Sequence, residues 1–128
     1  MPTIFDKKGN IEHTRGDILP LGISTTNDDG SDYIFEVGDV VRFSIYKQGD
    51  CGCVELQKNV VVSEATKEVL IDLTKEDTKI GELISEPVVY NYEVELNPDT
   101  RPQTIIGYTV KDGAKLFTLT PEAGKKND

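Results

Sequence analysis

A chain of 128 residues, 37% of them hydrophobic, can line one modest core and not two. Its 23 acidic and 14 basic residues leave a formal net charge of −9, a field that repels phosphate backbones and excludes nucleic acid as an expected partner. Apolar runs such as Val60-Val61-Val62 and Val88-Val89-Tyr90 fall far short of the ~20 residues that cross a bilayer, so no membrane insertion is expected.

Met1-Pro2-Thr3-Ile4-Phe5-Asp6-Lys7-Lys8 lacks the basic start, apolar stretch and cleavage site of a secretory signal, which predicts synthesis in a cytoplasm without export by that route. Residues 1–10 are polar and weakly patterned and are expected to be a flexible N-terminal segment. From residue 11 onward the dominant pattern is apolar alternation at period two, the mark of half-buried strands. It predicts strands near 11–15, 18–25, 33–37, 40–47, 53–58, 60–63, 67–73, 87–96, 104–110 and 115–120. In the fourth of these, Val41, Phe43 and Ile45 point inward while Arg42, Ser44 and Lys47 reach solvent. Val69, Ile71 and Leu73 form another inner row, flanked by Glu68 and Asp72. The cleanest row is Val88, Tyr90, Tyr92, Val94 and Leu96, with Asn91, Glu93 and Glu95 on the other face.

Turn chemistry separates the rows: Asn27-Asp28-Asp29-Gly30, Gly38-Asp39, Gln48-Gly49-Asp50, Asn97-Pro98-Asp99-Thr100 and Asp112-Gly113. One segment breaks the rhythm. Thr74-Lys75-Glu76-Asp77 is a variant capping box, and Ile80, Leu83 and Ile84 follow at helical spacing, which predicts one short crossover helix near 75–84. Gly81 and Pro87 keep it short. Many short strands with no βαβ alternation predict an all-β sandwich: one domain over 11–121, then a flexible C-terminal tail over 122–128.

Motifs that would carry chemistry are missing from this pattern. No Gly-x-Ser-x-Gly, His-Glu-x-x-His, Walker-type loop or dinucleotide fingerprint occurs, so neither an enzyme nor a cofactor is expected. Glu93 and Glu95 lie on an outer strand face with no cleft implied for a glycosidase pair. His13, the only histidine, falls beside Ile11 in an expected edge strand. Cys51-Gly52-Cys53 is too tight for an ordinary stabilising disulfide and, even with His13, one ligand short of a zinc site; a Gly-rich hairpin tip with reduced thiols is expected. Asp28, Asp29 and Asp32 around Gly30 have the composition of a calcium loop without the closing glutamate of an EF-hand, so no metal site is expected. Arg15-Gly16-Asp17 spells an adhesion tripeptide. The apolar Ile18, Leu19 and Leu21 that follow make it the entry to a core strand, with Gly16 permitting an unusual turn and Asp17 bonding backbone amides. A hydroxyl of Tyr90 or Tyr92 is expected to bond the crossover backbone, as in the tyrosine corner of immunoglobulin-like sandwiches.

Arg15-Gly16-Asp17 entering an apolar strand, the Asp29-Gly30 turn, Val40-Val41-Arg42-Phe43-Ser44-Ile45, Leu73-Thr74-Lys75-Glu76-Asp77-Thr78 and Tyr90-Asn91-Tyr92-Glu93-Val94-Glu95-Leu96 occur in a recognisable order over roughly residues 11–120. The series resembles the N-terminal immunoglobulin-like domain of phage baseplate upper proteins and related small prophage proteins. The resemblance implies an immunoglobulin-like antiparallel β-sandwich without catalytic residues, a structural or adaptor component of a phage or prophage tail. Its partners would be other phage tail or baseplate proteins and further copies of itself in a homo-oligomer. Its place would be the virion, after synthesis in a bacterial cytoplasm. Baseplate upper proteins continue into a receptor-binding region whereas this chain ends just past its last strand, which implies a stand-alone version. The competing expectation is a small binding module for carbohydrate or a host-surface ligand.

Overall fold

The computed structural model describes residues 3–5, 9–48, 53–81, 86–107 and 113–121. Among them the chain is all-β and sandwich-like, with nine strands in two sheets: β1 (Thr3–Phe5), β2 (Ile11–Thr14), β3 (Leu19–Ile23), β4 (Val40–Lys47), β5 (Val54–Val61), β6 (Val69–Leu73), β7 (Val88–Leu96), β8 (Gln103–Ile106) and β9 (Lys115–Thr120). The larger sheet runs β1-β2-β9-β7-β4-β5, and the smaller is the antiparallel pair β3-β6. β7 is the spine. Val41–Lys47 of β4 flank it on one side; on the other, β9 pairs with Val88–Tyr92 and β8 with Val94–Leu96. β2 lies parallel to β9, joining the two ends of the described domain.

The inner rows read from the sequence form the core. Val41, Phe43, Ile45, Tyr90, Tyr92, Val94, Leu96, Phe117 and Leu119 of the larger sheet close over Leu19, Leu21, Ile23, Val69, Ile71 and Leu73 of the smaller. Phe43, Tyr92 and Phe117 form an aromatic knot, with ring centroids 5.7, 6.2 and 6.3 Å apart in tilted and edge-on geometries that suit the ring quadrupoles. His13 shares the inner face with Ile11 as expected, but β2 is flanked by β1 and β9 and is no edge.

Several sequence expectations are corrected. Residues 33–37 form no strand: Phe35 makes a single bridge to Thr66 and is fully buried, an anchor point in a loop. The strands expected at 53–58 and 60–63 are one, because Lys58, Asn59 and Val60 continue the ladder to β4 without a break. The strand expected over 104–110 is β8, Gln103–Ile106, and residues 108–110 lie outside the described ones. Thr3–Phe5, where no element was expected, pairs antiparallel with β2. The C-terminal tail, 122–128, lies outside the described residues. Ser44 alternates to the outer face yet is fully buried, because Gln57 on β5 reaches over and donates to its hydroxyl at 3.4 Å.

The crossover from β6 to β7 keeps its predicted cap and loses most of its predicted helix. Thr74 N–H donates to Asp77 Oδ2 at 2.9 Å and Asp77 N–H to Thr74 Oγ1 at 3.2 Å, a reciprocal capping box. Only one 3₁₀ turn follows, Asp77–Lys79, after which Ile80 is extended. Leu83 and Ile84 lie outside the described residues. Gly81 ends the turn at φ +74°, where an added Cβ would sit 2.8 Å from the Tyr90 hydroxyl oxygen. Gly81→Ala should therefore destabilise the fold by about 1–2 kcal/mol in urea denaturation. Gly30→Ala, at φ +88° with open space around it, should cost only the backbone part of that.

Candidate functional site

Among the described residues, four places gather polar or exposed apolar side chains. The first is the turn from β2 to β3. Gly16 adopts φ +87°, as its residue type allows, and turns the Arg15 guanidinium inward. Arg15 is only 7% exposed, and its Nη2 donates to the carbonyls of Lys79 (2.9 Å) and Gly81 (3.2 Å). Gly16 N–H donates to Thr78 Oγ1 at 3.0 Å, and the Thr78 hydroxyl donates to the Asp17 carbonyl at 2.8 Å. His13 Nε2 meets the same carbonyl at 2.9 Å. The tripeptide 15–17 is thus a latch between the β2–β3 turn and the crossover, not a presented recognition loop. Asp17 serves through its main chain. Its Oδ2 is buried without a hydrogen-bond partner among the described residues, where the sequence suggested bonds to backbone amides.

The second is one end of the sandwich, where turns far apart in sequence meet. Asn97, at φ +49°, accepts Val40 N–H through Oδ1 (2.9 Å) and donates through Nδ2 to Asp39 Oδ1 (3.2 Å). Asp39 Oδ2 also accepts the Tyr33 hydroxyl and Glu36 N–H, each at 2.9 Å. Burial alone would raise the Asp39 pKa, but the hydrogen bonds from Glu36, Asn97 and Tyr33 hold it below the ordinary carboxylate value. Burial, with the bond to Asp39 next, raises the Tyr33 phenol, so it remains a neutral donor. Beside this network lies an open pocket of about 150 Å³ lined by Tyr33, Leu96, Asn97, Arg101 and Gln103. Sequence reading marked the Gly38-Asp39 and Asn97-Pro98 turns only as punctuation. Nothing in residue spacing signalled that they meet.

The third comprises the sequence-predicted ligand candidates, which the fold keeps apart or uses for bracing. Asp29 Oδ1 accepts both Ser31 N–H (2.9 Å) and the Ser31 hydroxyl (2.6 Å), bonds that hold its carboxyl below the usual value. Asp32 pairs with Lys67 at 3.5 Å. Among the described residues no three His, Cys, Asp or Glu side chains come together around a common point. Cys53 is disulfide-bonded, contrary to the expectation of reduced thiols, and so presents no thiolate to a metal. Cys51 and Gly52 lie outside the described residues. Tyr92 donates its hydroxyl to the Gly9 carbonyl ahead of β2, so that ring anchors the N-terminal approach. Glu93 accepts the Tyr46 hydroxyl at 2.8 Å on the outer face, where Arg42 pairs with Asp99 at 2.9 Å and bonds Asn59 at 2.8 Å.

The fourth is the set of sheet edges with the apolar side chains near them. β5 ends the larger sheet, and β3 and β6 form a sheet of two, so each has an outer edge unpaired by any strand among the described residues. Exposed apolar side chains lie on or beside these strands: Val54 and Val61 on β5, Leu70 on β6 and Ile18 just before β3. Lys58 points inward from β5 and meets Asp77 of the crossover at 2.5 Å. Burial acts to raise the Asp77 pKa, but the bonds from Lys58 and Thr74 and the Lys58 charge together hold it below the ordinary carboxylate value. A carboxylate depressed in the folded state adds stability that is complete above its unfolded pKa, near 4, and fades as pH falls through the lower folded value. Asp77→Asn should cost about 1 kcal/mol at neutral pH, because the pair is partly solvated, and should flatten the acid limb of a stability-versus-pH series.

Set against protein-family models, curated proteins and solved structures, the chain matches none of them.

Proposed function

We propose that this chain is an immunoglobulin-like β-sandwich acting as a non-enzymatic structural or adaptor component of a phage or prophage tail or baseplate, through protein–protein contacts. The observation that carries the reading is the combination of one apolar core shared by the two sheets with sheet edges left unpaired among the described residues, three strands bearing or adjoining exposed Ile18, Val54, Val61 and Leu70. The buried polar side chains His13, Arg15 and Thr78 hold backbone groups together, and such an arrangement positions strands instead of attacking a substrate.

The immunoglobulin-like assignment is supported by topology. β3 and β6 correspond to the B and E strands of such a sandwich, β4, β7 and β9 to C, F and G, and β5 to the added strand next to C in variable-type domains. The tail or baseplate placement rests on the order of sequence motifs. It implies the virion as the location and other tail proteins as partners. The test is to purify intact particles from a producing strain and look for the chain by mass spectrometry. Stoichiometric presence in the particle is the expected result, and presence only in the free soluble fraction would overturn it.

A second reading, a small binding module for carbohydrate or a host-surface ligand, is favoured by the pocket at Tyr33, Arg101 and Gln103. A specific hit in a glycan screen, lost on Tyr33→Ala, would promote it over the first.

A further inference from the structure

The outer edge of β5 is complementary to itself. In antiparallel pairing about a two-fold axis normal to a sheet, opposed residues share a face, so in a regular strand only residues an even number of positions apart are opposed. Val54 and Val61 are seven apart and would lie on opposite faces of a regular strand. The bulge changes this: Ile45 of β4 faces Leu56 while Tyr46 faces Val54, so Glu55 is an inserted residue and Val54 takes the ladder position of its successor. Val54 and Val61, which faces Val40, therefore share the outer face, at 50% and 65% exposure. Counted along the ladder they lie three positions to either side of Lys58.

A second copy turned about an axis at Lys58 would oppose Val54 to Val61, Leu56 to Val60 and Gln57 to Asn59, apolar to apolar and amide to amide. Moving the axis to Gln57 opposes Leu56 to Lys58 and Val54 to Asn59, and moving it to Asn59 opposes Lys58 to Val60. Both mismatch. At the Lys58 axis the two ammonium groups would face each other, a repulsion that normally guards an edge strand. Here each Lys58 already holds its own Asp77 at 2.5 Å, so the axis would gather two cations and two carboxylates and each ammonium could bridge to the other copy's Asp77. The charges complement across the axis.

We infer that β5 is a homodimerisation edge, joining two copies of this chain in a continuous sheet centred on Lys58. This deepens the protein-contact reading above by naming one partner as the chain itself. Sedimentation velocity of the full chain, from micromolar to millimolar concentration, should show a monomer–dimer equilibrium. Val54→Lys and Val61→Glu, both on exposed positions, should each weaken it by about tenfold or more. An equimolar mixture of the two should regain it, since one end of the mixed dimer opposes lysine to glutamate and the other valine to valine. Leu70→Lys on the smaller sheet should change nothing. A wild-type monomer throughout, a dimer indifferent to both variants, or a mixture that stays monomeric would overturn the inference. A Val61→Glu protein that is monomeric yet still incorporated into particles would leave the tail assignment standing, whereas an intact dimer absent from particles would remove that assignment alone.

Discussion

Phe43→Ala should destabilise the protein by about 3–5 kcal/mol, a large share of the ~5–15 kcal/mol that holds a domain of this kind together. Phe43 is fully buried at the middle of β4 and meets both Tyr92 and Phe117 at ring-centroid distances of 5.7 and 6.2 Å. Truncation removes its transfer energy and leaves a cavity walled by two rings that are themselves tethered. Tyr92 is held by its bond to the Gly9 carbonyl, and Phe117 sits in a strand paired on both sides. Neither can swing far to fill the space. Equilibrium urea denaturation with an unchanged slope would report this as a pure stability loss, and Phe43→Leu should cost about 1 kcal/mol because most of the volume remains. A loss for the alanine variant under about 1 kcal/mol would mean that the aromatic knot is not the centre of the core.

The second large effect is expected at the latch. Arg15→Ala should cost about 3 kcal/mol, because one guanidinium nitrogen serves two carbonyls of the crossover, at Lys79 and Gly81, and its removal leaves both without that donor. Thr78→Val keeps the shape of the side chain and deletes the hydroxyl that accepts from Gly16 and donates to Asp17, for about 1–3 kcal/mol. Both changes release the same turn from the same segment. The double variant should therefore lose less than the sum of the singles, by about 1 kcal/mol. Strict additivity in denaturation would show that the two contacts act independently and that the turn and crossover are not one unit. Arg15→Lys should recover only part of the loss, since a point-like ammonium is a poorer match than a planar fork to two carbonyls.

The inner rows of β4, β6 and β7 were legible because alternation reports directly on burial. Val41, Phe43 and Ile45 could be assigned to the core without knowing what lay opposite. The Thr74–Asp77 capping box was legible for the same reason, as both partners lie within one turn of chain. The extent of the helix was not, because Ile80 turns extended and the positive φ of Gly81 brings the backbone against the Tyr90 hydroxyl. Ser44 was misread as solvent-facing because its cover, Gln57, comes from the neighbouring strand.

Residues of the candidate sites were hidden for a related reason. Arg15-Gly16-Asp17 was visible as a turn, but its partner Thr78 is more than sixty residues away in sequence. Asp39 and Asn97 were each visible as turn residues, and only the packing of two loop ends makes them one network. The equivalence of Val54 and Val61 depends on a bulge that no local pattern announces, since it exists only in the register between β4 and β5.

By itself, then, the amino-acid sequence determined the all-β class, the faces of the central strands and the turns between them, because side-chain alternation and backbone preference act within a few residues. Tertiary structure alone decided which strands are neighbours, that Arg15 is buried and the turn at 15–17 serves as a latch, and which edges remain open among the described residues. Those outcomes depend on contacts between residues far apart along the chain, whose free energy exists only once two sheets have closed over a common core.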